Sequence, residues 1–305
     1  SAPKKNKVPQ AFETVFERSN GLESPTYLEM MDYYRRLVDA YPAVLKLVEV
    51  GPTDAYYPLH LVLVSPEGSL DADQWAAESK MPVLINNGIH PGEPDGIDAS
   101  MMLVRDVAQD RVKLPANVVL AVVPCFNIGG MLQRSPYHRV DQDGPREFGA
   151  RGNSQNLDLN RDFMKADAAE TRSLIKAIEW VKPLVLIDNH VSNGADYQHV
   201  MTLLSTQPEK LGGAMGELLR HQLEPEVYRR MKAAGRDEDT VSRQGGDEFI
   251  ARATHAREFQ PHEAKPKTMG ILCVDLREKH GRRRELAEVA EQASAEVNVA
   301  GDDAR

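Results

Sequence analysis

Apolar residues along this chain fall either at helical spacing or in short continuous runs. Tyr27, Met30, Met31, Tyr34, Leu37, Val38 and Tyr41 stand three and four apart, the spacing of one helix face. Thr26 and Glu29 form a capping-box pattern at its start, and Pro42 stops it. Short apolar runs at 45–50 and 59–64 predict strands, with the turn signal Gly51-Pro52 between them. The run 82–87 predicts a third strand. A helix over 95–108 is predicted because Pro94 suits a first helical turn. Further runs predict a buried strand at 118–123, a helix at 168–180, a strand over 184–189 leading into His190, and a strand at 200–204. A helix over 208–223 is weakened by Gly212 and Gly213.

Strands alternating with helices imply an α/β fold whose sheet is largely parallel or mixed, with helices on both faces. Ligands in such sheets bind beyond the carboxyl ends of the strands. The polar stretch 127–156 is long for a connection inside a compact domain, and such loops are usually functional. No repeat and no domain boundary shows before about residue 230. The expected organisation is a mobile lead, 1–23, a main domain, 24–230, and a carboxyl-terminal region of different character, 231–305, expected to complete that domain. Within the last region, 232–268 is highly charged without a clear period. A strand is expected at 270–274 and a polar helix at 284–293.

The 305 residues carry a formal net charge of −9, which argues against nucleic acid as the main partner. No apolar run approaches the roughly 20 residues of a membrane span. Cys125 and Cys273 sit in apolar runs and read as buried thiols, so they fix no redox compartment. The chain begins at Ser1; removal of a signal peptide would make it periplasmic or secreted.

The chemistry concentrates at His90 and Glu93, placed just after the run Pro82-Val83-Leu84-Ile85. An imidazole nitrogen and a carboxylate oxygen at this spacing suit one zinc ion. A third ligand is needed, and His190, at the end of a second apolar strand, supplies it. His90, Glu93 and His190 together leave one position open for water, as in catalytic zinc sites. The plainer alternative is a pair of hydrogen-bonded histidines near a sheet edge. The segment Asn156-Leu157-Asp158-Leu159-Asn160-Arg161-Asp162 adds a second constellation. Asp158 is suited to orient a metal-bound histidine. Asn160 and Arg161 are suited to hold a carboxylate. Against this stands an ordinary polar loop with a local ion pair. Of Arg139, Arg146 and Arg151, only Arg151 is singled out to stabilise an oxyanion. His138 and His199 read as surface or supporting residues. Serine-hydrolase and phosphate-loop signatures are absent from the sequence.

These residues resemble the M14 family of zinc carboxypeptidases, in a bacterial branch. The resemblance rests on Gly88-Ile89-His90-Pro91-Gly92-Glu93-Pro94-Asp95-Gly96, on Arg151-Gly152-Asn153 with Asn156-Leu157-Asp158-Leu159-Asn160-Arg161-Asp162-Phe163, and on Asp188-Asn189-His190-Val191-Ser192. It covers roughly residues 24 to 230. It implies a three-layer α/β sandwich with a mixed, largely parallel sheet. It also implies zinc held by His90, Glu93 and His190, with Asp158 supporting His90. Asn160 and Arg161 would bind the substrate's terminal carboxylate, and Arg151 the oxyanion.

The likeness fails at the carboxyl end. Family members carry a general-base glutamate on a late strand. Here Ala253-Thr254-His255 lacks the acid, and Val274-Asp275-Leu276-Arg277 carries aspartate instead. Asp275 is the best candidate base, with Glu258 and Glu263 as looser options. A shifted reading frame or truncated gene would leave such a pattern. The leading function is a zinc metallocarboxypeptidase hydrolysing a peptide or amide bond next to a terminal carboxylate. The alternatives are an aspartoacylase-like deacylase of N-acyl amino acids and a zinc- and peptide-binding module without turnover.

Overall fold

The computed structural model describes residues 12–139, 145–191, 201–233, 242–243 and 271–276. The lead 1–7, His199, Glu258, Glu263, the predicted helix 284–293 and most of the charged stretch 232–268 lie outside the described residues. In chain order the strands are β1 (Leu45–Gly51), β2 (Leu59–Val64), β3 (Met81–Asn86), β4 (Val118–Val123), β5 (Arg134–Ser135), β6 (Phe148–Gly149), β7 (Val185–His190), β8 (Met201–Ser205), β9 (Ser242–Arg243) and β10 (Ile271–Leu276). All but β5 and β6 join one sheet in the order β1-β2-β4-β3-β7-β10-β8-β9. The neighbours β4, β3, β7 and β10 run parallel, flanked by antiparallel pairings of β2 with β4 and of β8 with β10.

The sheet is covered on both faces, and its side chains alternate between the two layers, as the period of a strand requires. Val62 and Val64 of β2, Val118, Leu120 and Val122 of β4, and Val83 and Ile85 of β3 face one core. The helices Tyr27–Ala40 and Asp95–Ala108 cover it with Met30, Met31, Tyr34, Leu37, Ile97, Met101 and Val104. The intervening residues Leu61, Leu63, Leu84, Val119 and Ala121 face a second core, covered by Trp75 and by Leu174, Ala177 and Val181 of the helix Ala169–Val181. This is the expected mixed α/β sandwich.

Local signals fix the elements. Thr26 and Glu29 form the capping box as predicted, with the Thr26 amide donating to Glu29 Oε2 at 2.9 Å. The helix Ala169–Val181 ends where Lys182 turns left-handed, at φ 49°. The helix expected over 208–223 is broken instead. Gly212 at φ 63° separates Pro208–Leu211 from Gly213–Leu218, and a π-helical turn, Leu219–Leu223, leads into the helix Glu224–Ala233. No helix among the described residues is long and apolar enough to cross a membrane.

Two parallel strands carry the site. Asn86 of β3 pairs in register with Asp188 of β7, so both strands end at the same edge of the sheet. Gly88, with φ 65°, turns the chain after β3 towards His90. A Cβ there would also stand 2.9 Å from Cys125 Sγ, so the turn needs glycine. Asp275 of β10 lies in backbone register with His190 on the adjoining strand.

Candidate metal centre

His90, Glu93 and His190 converge, each offering a ligand atom within 4.8 Å of the others. His90 and Glu93 are buried, while His190 keeps an edge towards solvent. His90 Nδ1 lies 3.1 Å from Glu93 Oε1, and His190 Nδ1 lies 3.0 Å from Glu93 Oε2. The Val191 amide donates to Glu93 Oε2 at 2.9 Å. The same ring nitrogen of each histidine thus points at one carboxylate.

The opposite ring nitrogens are held from behind. His90 Nε2 lies 3.1 Å from Asp158 Oδ1, and His190 Nε2 lies 3.0 Å from Asp188 Oδ2. A carboxylate can only accept, so each Nε2 carries the proton it shares with its aspartate. With a cation bound, each neutral ring would then turn its Nδ1 lone pair towards it beside Glu93; without one, Nδ1 takes up a proton and donates to the Glu93 carboxylate. Three electron-pair donors facing one another repel unless a cation or extra protons lie among them. The donor set of two imidazoles and a carboxylate suits zinc, and its supporting carboxylates are those zinc-binding histidines ordinarily have.

The site's electrostatics agree. Burial alone would raise the Glu93 carboxyl, but hydrogen bonds from His190 and His90 outweigh it and hold the group well below its usual range. Burial would lower His190, but Asp188 and Glu93 prevail and push it up to about 10. Asp158 is likewise held low: desolvation opposes ionisation, and His90 and Arg151 overcome it. Such a cluster favours bound positive charge.

The second constellation lies beside the first. Asp158 caps the short helical turn Leu159–Arg161 through the Asn160 amide at 3.0 Å, so Asn160 and Arg161 directly follow the residue that meets His90. Asn160 is buried and Arg161 exposed. Arg151 donates from Nε to Asp158 Oδ2 at 3.0 Å. His138 is exposed, as a surface residue should be. The side chain of Asp275 lies outside the description; only its backbone is placed.

Two participants went unassigned in the sequence. Arg139, not singled out there, is buried and donates from Nη1 to Glu93 Oε1 at 2.8 Å. Nothing in a polar loop 46 residues away signals that contact. Asp188 was legible: residues two apart on a strand share a face, so Asp188 must lie beside His190. Asn86 holds it in turn, donating to Asp188 Oδ1 at 2.9 Å.

Solved structures share this fold. A metallo-carboxypeptidase from Burkholderia cenocepacia superposes with a TM-score of 0.58 at 18% identity, over 87% of this chain and 68% of that one. Bovine thrombin-activatable fibrinolysis inhibitor, solved with tick carboxypeptidase inhibitor, gives 0.62 at 15% identity over 90% and 96%. A Pseudomonas aeruginosa metallo-carboxypeptidase, solved with (2-guanidinoethylmercapto)succinic acid, gives 0.55 at 15% over 87% and 67%. No curated protein matches the chain. The profile of the M14 peptidase family, described as zinc carboxypeptidase, matches residues 30–182, half of the sequence. That family implies zinc and a peptide substrate rather than an N-acyl amino acid. By that match the chain belongs to the M14 family of zinc carboxypeptidases.

Proposed function

We propose that this chain is a zinc-dependent carboxypeptidase that hydrolyses the peptide bond next to a free carboxyl terminus. The observation that carries the reading is the convergence of His90 Nδ1 and His190 Nδ1 on Glu93, with Asp158 and Asp188 on the opposite nitrogens. His90, Glu93 and His190 would hold one zinc ion. When bound, zinc supplies a Lewis acid that polarises the scissile carbonyl and eases deprotonation of water.

The chain's own residues do the rest. Arg161 and Asn160 bind the substrate's terminal carboxylate through charge-assisted and amide hydrogen bonds, which orients the last peptide bond and favours cleavage there. Arg151, anchored through Nε on Asp158, stabilises the developing oxyanion. Asp275 takes the proton from the attacking water and returns it to the leaving amine. Its place on β10, in register with His190, supports that role.

The experiment compares an N-blocked dipeptide with its carboxyl-terminal amide, using the zinc-loaded chain. Release of the terminal amino acid from the free acid, with the amide about a hundredfold slower, is expected. Arg161→Ala should raise KM for the free acid, and Asp275→Asn should abolish turnover while leaving zinc bound. Equimolar zinc without cleavage of any peptide would instead make the chain a binding module. Unchanged turnover in Asp275→Asn would remove Asp275 as the base.

A further inference from the structure

Asn153 is buried, and its side chain uses its full hydrogen-bonding capacity. Oδ1 accepts from the amides of Gln155 and Leu157, each at 2.9 Å. Its own amide donates to the Leu157 carbonyl at 2.9 Å, and its carbonyl accepts from the Asn156 amide at the same distance. These bonds close the loop 153–157 on itself. The closure is tight: Asn156 is left-handed at φ 58°, and a Cβ on Gly152 would stand 2.8 Å from Asn156 Oδ1. Arg151 enters this loop and Asp158 leaves it, and the two side chains meet across its mouth.

The other end of the Asn153 side chain meets two carboxyl groups. Nδ2 lies 3.3 Å from Asp54 Oδ2 and 3.4 Å from Glu170 Oε2. Asp54 lies in the connection after β1, and Glu170 in the first turn of the helix Ala169–Val181. Asp54 Oδ2 also accepts from the Ala169 amide at 3.2 Å, which ties the connection to that helix. Glu170 is fully buried. A buried carboxyl group and a half-buried one thus meet one amide, and a proton between them relieves their repulsion. The burial of Glu170 and the nearness of Asp54 both favour that proton.

We infer that Asn153 is a positioning residue: anchored by the Asp54–Glu170 carboxyl pair, it sets the loop that holds Asp158 against His90. The chain of contacts runs from the helix Ala169–Val181 and the connection after β1 to Glu170 and Asp54, through Asn153 to the loop, and from Asp158 Oδ1 to His90 Nε2. Loss of the anchor lets Asp158 drift, which frees the imidazole to rotate and weakens its hold on a metal. Glutamine at 170 mimics a protonated carboxyl, donating to Asp54 while accepting from Asn153, so it preserves the anchor. Alanine at 170 removes the Glu170 half of the anchor, leaving the Asp54 contact, without touching the loop. The inference rests on the zinc reading above.

Zinc dissociation constants of the full chain, measured by competition with a chelating dye, test it alongside melting of the metal-free protein. Asn153→Ala and Glu170→Ala should each weaken zinc about tenfold or more, and Glu170→Gln should keep wild-type affinity. A purely structural role would lower both melting temperatures and leave the zinc constants unchanged; that result overturns the inference alone. If Asn153→Ala does not fold, the contrast between Glu170→Ala and Glu170→Gln decides the matter. A wild-type chain that binds no zinc overturns the zinc reading and this inference together.

Discussion

Arg139 Nη1 lies 2.8 Å from Glu93 Oε1, the same carboxylate oxygen that His90 Nδ1 faces at 3.1 Å. Both side chains are buried, so the guanidinium compensates a carboxylate that water does not reach. Removing one member of a buried pair costs about 3–5 kcal/mol when the other is left uncompensated. Arg139→Ala should therefore lower the stability of the metal-free chain by about 3 kcal/mol, the low end, because Glu93 keeps the Val191 amide. Bound zinc would compensate Glu93 in its place. Melting curves in chelator and in excess zinc should show a large deficit in the first and a small one in the second. Equal deficits would separate Arg139 from the charge balance of the site.

Asp158 and Asp188 hold the two imidazoles by their Nε2 protons. Replacing either by asparagine weakens the acceptor and removes its charge. Zinc affinity should fall about 10- to 100-fold in each variant, as read by chelator competition. Wild-type affinity in both would mean that something else orients the rings.

Glu170 gives the chain a pH signature. Burial first, and Asp54 second, push its carboxyl up from the ordinary 4.5 to about 7. Between those values the unfolded chain has released the proton and the folded chain retains it. Stability contributed by this group is thus complete below about 4.5, falls as pH rises to about 7, and is flat above. Glu170→Gln removes the titration. Urea unfolding from pH 4 to 8 should show the variant gaining on wild type across that window. A constant difference would contradict the assignment.

Gly96 stands where the helix Asp95–Ala108 meets the end of β7. A Cβ there would collide with the Asn189 side chain and with Asn87 Oδ1. Asn189 directly precedes His190, so the collision is transmitted to the site. Gly96→Ala should cost about 1–3 kcal/mol as overpacking and should weaken zinc as well. Thermal melts and zinc titration check both. A stable variant with unchanged zinc affinity would show that the helix simply moves aside.

The sequence disclosed most of this architecture because the relevant signals are local. Short apolar runs marked β2, β3, β4 and β7, and the residues after β3 and at the end of β7 include His90, Glu93 and His190, which converge. The capping box at Thr26 was legible for the same reason. What stayed hidden depends on where distant segments meet. Arg139 reaches Glu93, and Asn153 reaches Asp54 across 99 residues, through loop paths that no periodicity encodes. The helix expected over 208–223 failed at Gly212, where backbone freedom outweighed the apolar spacing. Asp188 is an intermediate case: strand geometry puts it on the face of His190, but the 3.0 Å contact between them depends on the side-chain rotamers of the fold.

The proposed hydrolysis depends on the three converging side chains gripping a single metal ion. The direct measurement is the zinc content of the purified chain after dialysis, for wild type and for Glu93→Ala, with circular dichroism to establish that both are folded. One zinc per wild-type chain and essentially none in the folded variant is the predicted result. A folded wild type that retains no zinc, or a variant that retains as much as wild type, would contradict the account.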